Sequence, residues 1–530
     1  MAEGAGISAP ALSSYFNAVA SAEGLVQGHT GYEIKKIGDG MAKLVRSGWG
    51  LIGTCMSPML MDGRYNMATI AERLAGKILE LRWDDLPDEA IHWAKIGILD
   101  TIGVTLAGAG ESCTRIALKT PGVGEATGPS LIYGYGLRTS VLDAALVNGI
   151  ASHALDFDDV NNHIGGHPSV PLVPAIFALS DMLSCSGRDA LLAYVAGFEA
   201  ETRIGRSVNQ HHYEKGWHPT ATLGIFGTVA VASRLLGLDV KKTAVALGLT
   251  TSLASGVKAN FGTMTKPLHV GHSSRNGIYA ALLANDGFTA NSAAFEHHQG
   301  FLEVFNGAGT HDIERCFVEW GKPWNVMEPG PNLKQYPCCG STHGAINAMM
   351  ALRAAHDLLP EDVASIEILT TPRRLPHTDN PNPTTGLEAK FSIHYVTARA
   401  LIDGAVKLQH FEGSAFDEDA PRALMSMVKT GIHPDMSDPD NDGYGAEVSV
   451  MTTDGRSLSH RVDTEVLRGP IYPMTDAELF DKFNDCSARA MPKSGIRRLF
   501  DTLQELETLD DVSSVSAQID IGRIAAEVAK

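Results

Sequence analysis

The sequence predicts a mainly α fold: a large all-helical domain with a smaller α+β domain inserted near its end. Three observations carry this. Apolar residues recur at helical spacing from about residue 69 to 310, with little period-two alternation. Strand-like alternation begins only after Pro329. Helical spacing returns after Pro470, so the simplest topology places the α+β piece between the main helical body and its last helices. A chain of 530 residues is also too long for one simple core.

In chain order, residues 1–66 are a poorly patterned lead-in with scattered Gly and Met, an extension to which no order is assigned. Helical spacing starts at Thr69, where Ile70, Leu74, Ile78 and Leu81 mark one apolar face. Leu86, Pro87, Asp88 and Glu89 punctuate the start of a second helix, which carries Ile91, Lys95, Ile98 and Ile102 to a stop near Gly108. Segments 221–233 and 243–249 are rich in small residues, which let helix axes approach closely and mark central helices. In the α+β piece, residues 364–369 alternate with Ile366 and Ile368 on one side. Segments 447–451 and 457–462 flank Asp454-Gly455, a strong hairpin signal. Helical stretches at 342–354 and 392–405 accompany them, and helices at 476–483 and 496–506 close the chain. The domains expected are 67–328 (helical, first part), 329–466 (α+β) and 467–530 (helical, C-terminal part), preceded by the 1–66 extension.

Composition excludes several classes. The net charge is −18 and no Lys/Arg run stands out, so neither nucleic acid nor an anionic membrane is an expected partner. No stretch of about 18 apolar residues suits a transmembrane helix. The N-terminus lacks the basic-then-apolar pattern of a secretory signal. Seven cysteines, with no CxxC pair, argue against a disulfide framework and a structural zinc site. A reducing compartment, most simply the cytoplasm, is the expected location. A small anionic ligand stays compatible with the negative total, because a few cations converging in one cleft suffice to hold it.

Four stretches carry the chemistry. The first runs from Ser152, His153 and Asp156 through Asp158, Asp159 and His163 to His167, beside Gly165-Gly166. Acids and imidazoles at this density tune one another toward neutral pKa and suit proton transfer; the alternative is helix-capping acids and surface histidines. A metal is not expected, because no HxxxH or HExxH spacing lies on a helix. The second stretch holds Tyr213, Trp217, His218 and Pro219. Pro219 suits a first helical turn, which puts His218 at a helix N-terminus, as an anion-facing group or a simple cap. The third contains Lys266-Pro267, His269, His272 and Arg275. A residue before proline favours extended backbone, and the Lys266 ammonium suits a carboxylate clamp or, if buried, a base. Arg275 is a second candidate clamp, or a solvated helix residue. The fourth, Lys334 to His343, includes Cys338 and Cys339, read as packing or a polar site wall rather than a nucleophile. Gly122-x-Gly124-x-x-x-Gly128 misses the dinucleotide spacing.

Taken together, HALDFDD with HPS (153–159, 167–169), WHPTATLG (217–224), TKPLHVG (265–271), LKQYPCCGSTH (333–343) and AKFSIHYV (389–396) resemble the MmgE/PrpD family. The motifs span about residues 69–515 in the right order. The resemblance implies a large helical domain with an inserted α+β lid, a homodimer and no organic cofactor. It also implies chemistry at a carbon next to a carboxylate, on a di- or tricarboxylic acid. Members include 2-methylcitrate dehydratase, cis-aconitate decarboxylase and iminodisuccinate epimerase. By resemblance to the decarboxylases, Asp156, His167, His218, Lys266, Lys334 and Tyr395 fall on active-site positions. By resemblance to the epimerase, Lys266 and Tyr213 become opposed proton-transfer groups. Val160 stands where many members have Thr, and Cys339 where some have His. Residues 1–66 have no counterpart, which makes Met67 a candidate original start.

The expected mechanism is that of a lyase, dehydrating a citrate-like acid or decarboxylating a cis-aconitate-like one. Lys266, Lys334, His167 and Arg275 hold carboxylates, and Cys339 and Tyr395 line the substrate site. His218 or Tyr213 moves the proton, and Asp156 orients an imidazole. An epimerase of a small dicarboxylate and a non-catalytic carboxylate-binding protein are the alternatives.

Overall fold

A computed structural model describes residues 68–438, 443–463 and 466–520, and the backbone of three short strands ahead of them. Those strands, β1 (Tyr32–Lys36), β2 (Ala42–Arg46) and β3 (Gly53–Cys55), pair antiparallel in sequence order. The lead-in therefore holds a small sheet that its sequence pattern does not announce, since strands this short give little alternation to read. The rest of residues 1–66 lies outside the described residues.

The helical body begins with Ile70–Glu80, whose N-terminus is closed by a capping box between Thr69 and Glu72. Its core is built from Asp88–Gly108, Val141–His153, Ser169–Leu183, Gly187–Val208, Gly224–Leu235 and Thr265–Asn285. The Val141–His153 and Thr265–Asn285 helices meet backbone to backbone. A Cβ on Gly149 would lie 2.8 Å from the Gly271 Cα, and one on Gly271 would lie 2.4 Å from the Leu146 carbonyl oxygen. Only glycine allows that approach. It sets the end of the first helix beside the start of the second, where Asp156 and Lys266 meet.

Two expectations for this region need correction. It is not purely helical, because β4 (Ser130–Ile132) and β5 (Leu137–Thr139) form a hairpin. Three-residue strands are too short to show alternation, and the turn rests on Gly134 and Gly136 at positive φ. Lys266-Pro267 is also not extended: it occupies the first turn of Thr265–Asn285. The missing N–H of Pro267 costs nothing there, and the Lys266 N–H bonds the Thr263 carbonyl at 3.1 Å. Among the described residues no helix is long and apolar enough to cross a membrane.

A second apolar core forms around β6 (Val363–Thr370), β7 (Val428–Ile432), β8 (Ala446–Thr452) and β9 (Ser457–Val462). The sheet order is β7-β6-β8-β9, with β6 and β7 parallel and the other pairs antiparallel. Ile366, Ile368, Val448 and Val450 bury one face in the core shared with helices His343–His356 and Ile393–Asp403. The last helices, Asp476–Ser487 and Lys493–Gln504, return to the first core through Phe483, Leu499 and Phe500.

Two acids are buried in the helical body away from any cation. Glu201 is fully buried with both carboxylate oxygens unpartnered, and Gly227 leaves the room its head group needs. Burial, with Asp159 adding to it, holds its pKa well above the ordinary carboxylate value. Burial also moves Asp159 up to about 8, although Ser169 donates a 2.6 Å hydrogen bond to it. The folded state thus keeps protons that the unfolded chain releases above its ordinary carboxylate pKa. This contribution to stability is full below that pKa and is lost as pH rises toward the folded value. Glu201→Gln removes one such group, so its melting temperature relative to wild type should rise on going from pH 5 to pH 8. Thermal unfolding at both pH values checks this; an offset independent of pH would contradict it.

Candidate active site

The site is organised by Asp156, just past the end of the Val141–His153 helix. Its φ of 54° lies in the left-handed region, which Asp tolerates better than most residues. Lys266 donates to Asp156 Oδ1. Lys334 donates to Oδ2 at 2.8 Å and to the Asp156 carbonyl at 2.5 Å. All three residues are buried. Lys334 is delivered by a reciprocal backbone bridge: the Val160 N–H bonds the Asn332 carbonyl at 2.9 Å, and the Asn332 N–H bonds the Val160 carbonyl at 3.0 Å.

A second acid, Asp158, accepts a 2.8 Å hydrogen bond from His153 Nδ1. His167 Nδ1 also approaches Asp158 to 2.9 Å, outside good hydrogen-bond alignment, and His167 Nε2 lies 3.7 Å from Asp156. The His153 ring sits edge-on to His167 and stacks on His218, with centroids 4.6 and 5.7 Å apart. His218 precedes the Pro219–Thr222 turn, and its Nδ1 faces His269 Nδ1 at 3.2 Å. The buried Nε2 atoms of His153 and His218 have no hydrogen-bond partner among the described residues.

Charges follow from this geometry. Burial alone would raise the Asp156 carboxyl, but Lys266 and Lys334 outweigh it and hold it well below its ordinary value. Asp158 is likewise held low, burial being overcome by His153 and His167. Burial works against the Lys334 charge, yet Asp156 and Asp158 raise its pKa. Burial lowers His153 to about 4 against the pull of Asp158, and lowers His218 well below the imidazole value. The acids are thus ionised, and both imidazoles are neutral near pH 7.

A cavity of about 230 Å³ opens onto this cluster, lined by His153, Asp156, Lys266, Lys390, Glu111 and Phe411 among others. Ligand atoms of His153, Asp156, Asp158 and His167 lie within 4.8 Å of one another, close enough to hold a metal ion. The donor set does not fit one. Both Asp156 oxygens already carry ammonium groups, so a divalent ion would face two fixed positive charges.

Of the residues singled out in the sequence, Asp156, His167, His218, Lys266 and Lys334 converge here. Cys339 adjoins them; burial raises its thiol pKa, but a hydrogen bond from His377 outweighs this and lowers it, with Asp156 and Lys334 also facing it. Tyr213 lies under the Lys258 ammonium, 3.3 Å from the ring centroid, with Cys339, Arg373 and Arg374 as charged neighbours. It makes no hydrogen bond to the Asp156 cluster. Tyr395 is not brought to the cluster: its hydroxyl donates to the His410 carbonyl and accepts from Arg399, one turn along the same helix, at 3.0 Å. Arg275 lies more than two turns beyond Lys266 and faces His272 instead. Orienting an imidazole, the role expected of Asp156, falls geometrically to Asp158. His153, Asp158 and Lys390 were not among the predicted site residues, although the HALDFDD and AKFSIHYV segments contain them.

A buried carboxylate shared by two ammonium groups, with neutral imidazoles beside it and a small cavity in front, defines a site for binding small anions and moving protons. Residues 72–314 match the MmgE/PrpD N-terminal domain and residues 336–507 the MmgE/PrpD C-terminal domain, so the chain belongs to the MmgE/PrpD family. It is similar to human cis-aconitate decarboxylase, 30% identical over 84% of this chain and 94% of that protein. Mouse cis-aconitate decarboxylase is 29% identical over 84% of this chain and 92% of its own length. The Aspergillus terreus enzyme of the same name is 27% identical over 82% and 92%.

Asp156→Asn leaves two buried ammonium groups without the carboxylate they share. It should lower stability by about 3–5 kcal/mol in chemical denaturation, the cost of breaking a buried ion pair from one side, and added sulfate should restore part of the loss. Wild-type stability in the variant would contradict the assignment.

Proposed function

We propose that the chain is a lyase that decarboxylates a cis-aconitate-like tricarboxylic acid using its own side chains and no organic cofactor. The observation that carries this reading is the Lys266–Asp156–Lys334 cluster, whose Lys266 and Asp156 line a cavity sized for a small acid. It is supported by relatives named cis-aconitate decarboxylase that align over more than nine-tenths of their length. We read the enzyme as cytoplasmic, in keeping with free thiols at the six described cysteines, and as a homodimer.

In this reading Lys266, Lys334 and His167 hold substrate carboxylates. The bond between the substrate methylene carbon and its carboxylate breaks and releases carbon dioxide. The electron pair left behind moves through the adjacent double bond. The far alkene carbon, itself next to a carboxylate, takes up one proton. Cations at the carboxylates stabilise the charge that builds during this shift. His218 is assigned as the proton donor, since its Nε2 is buried and unpartnered and a bound polyanion raises the pKa of a neutral imidazole beside it. The α+β core serves as a lid in this reading: its Lys390 and Phe411 line the same cavity as Lys266 and Asp156, and closure would exclude water from the reacting atoms.

Proton NMR of the enzyme with cis-aconitate in deuterated buffer tests this. The expected product is 2-methylenesuccinate carrying one deuterium on its saturated methylene. Lys266→Ala should depress kcat by roughly 100-fold or more, the scale seen when a charge-stabilising group is lost. Solvent exchange without net conversion would point to an epimerase, and dehydration of 2-methylcitrate with cis-aconitate untouched to a dehydratase. Either outcome, or an unchanged kcat in Lys266→Ala, would overturn the proposal.

A further inference from the structure

Lys390 is an unexplained amine in the same cavity. It ends the short Gly386–Lys390 helix of the α+β core, is 6% exposed and lines the cavity together with Lys266. Its Nζ donates one hydrogen bond, to the Leu155 carbonyl at 2.7 Å, in the residue before Asp156. It forms no ion pair among the described residues, in contrast to Lys266 and Lys334, which share Asp156, and to Lys482, which pairs with Asp100. An ammonium has three donors, and among the described residues only one of these is used. The nearest charged groups facing it are Glu111, Asp156, Cys338 and Lys334; Glu412 also lines the cavity.

The pairing pattern separates Lys390 from Lys266, which lines the same cavity, and from Lys334 behind Asp156. Lys266 and Lys334 spend much of their charge on one carboxylate, so together with Asp156 they present a single net positive charge. Lys390 adds a second charge from the Gly386–Lys390 helix and is not ion-paired with Asp156. A dicarboxylate can be held by the Asp156 cluster and the imidazoles beside it. A third carboxylate needs a cation elsewhere on the wall.

We propose that Lys390 binds a substrate carboxylate directly and sets the preference of this cavity for a tricarboxylate over a dicarboxylate. The inference rests on the decarboxylase reading above for the nature of the substrate, but it concerns a residue that this reading does not need. Burial lowers the Lys390 pKa to about 8, so the free amine is partly neutral in mildly alkaline solution, and a bound carboxylate draws it back to the charged form.

Calorimetric binding of tricarballylate, a saturated tricarboxylate that cannot be decarboxylated, and of glutarate, a dicarboxylate, tests this on full-length wild type, Lys390→Met and Lys390→Arg. Lys390→Met should weaken tricarballylate at least tenfold and glutarate less than twofold. Lys390→Arg should restore tricarballylate affinity and remove the part of its decline between pH 7 and pH 9 that comes from the lysine. Melting temperatures of both variants show whether they are folded. If Lys390→Met unfolds, the Lys390→Arg pH profile decides alone: a wild-type decline in that variant would overturn the proposal. Equal weakening of both ligands, or no weakening, would overturn it while leaving the decarboxylase reading intact. If wild type neither binds tricarballylate nor converts cis-aconitate, the functional reading fails and this inference fails with it.

Discussion

Two lysine side chains brought together inside a protein lose their water and repel each other, and the fold resolves both penalties with the carboxylate of Asp156. Lys266 arrives at the start of one long helix, and Lys334 from the strand-like crossing that leads into the α+β core. Asp156 reaches both because its backbone turns into the left-handed region just after a helix end. The Gly149–Gly271 approach and the Val160–Asn332 bridge look like unrelated packing details, yet each fixes one arm of this triad. The triad by itself carries one net positive charge, which is the feature the proposed polycarboxylate substrate would use.

Next to the triad, Asp158 plays a different part. It holds His153 by a hydrogen bond and faces His167, while His218 stacks on the His153 ring. Burial keeps His153 and His218 neutral in the free protein. The same burial makes them responsive, because bringing a polyanion into a dry cavity changes imidazole protonation far more than it would in water. In the proposed mechanism, fixed charge in the lysines serves binding and adjustable charge in the histidines serves proton transfer.

The sequence was most legible where one periodicity runs long. The helical body, the β8–β9 hairpin at Asp454-Gly455 and the closing helices follow from spacing alone, because their buried faces are wide. Short pieces escaped: β1 to β3, the β4–β5 hairpin and β7 are too brief to show alternation. Lys266-Pro267 misled because the rule for a residue before proline weakens in a first helical turn. At the site, density of acids and imidazoles pointed to the right segment, but pairing was invisible: nothing local says that Asp156 serves two lysines and Asp158 the histidines. The AKFSIHYV segment shows the limit most clearly. Ser392 caps the Ile393–Asp403 helix just after the Gly386–Lys390 helix ends, and the change of direction sends Lys390 to the cavity and Tyr395 into the core. Only the tertiary fold distinguishes them.

The most direct test of this account is an experimental structure with tricarballylate bound. It predicts the ligand in the cavity with one carboxylate within hydrogen-bond distance of Lys266 Nζ and another at Lys390. A ligand seated elsewhere, or one in the cavity touching neither Lys266 nor Lys390, would contradict it.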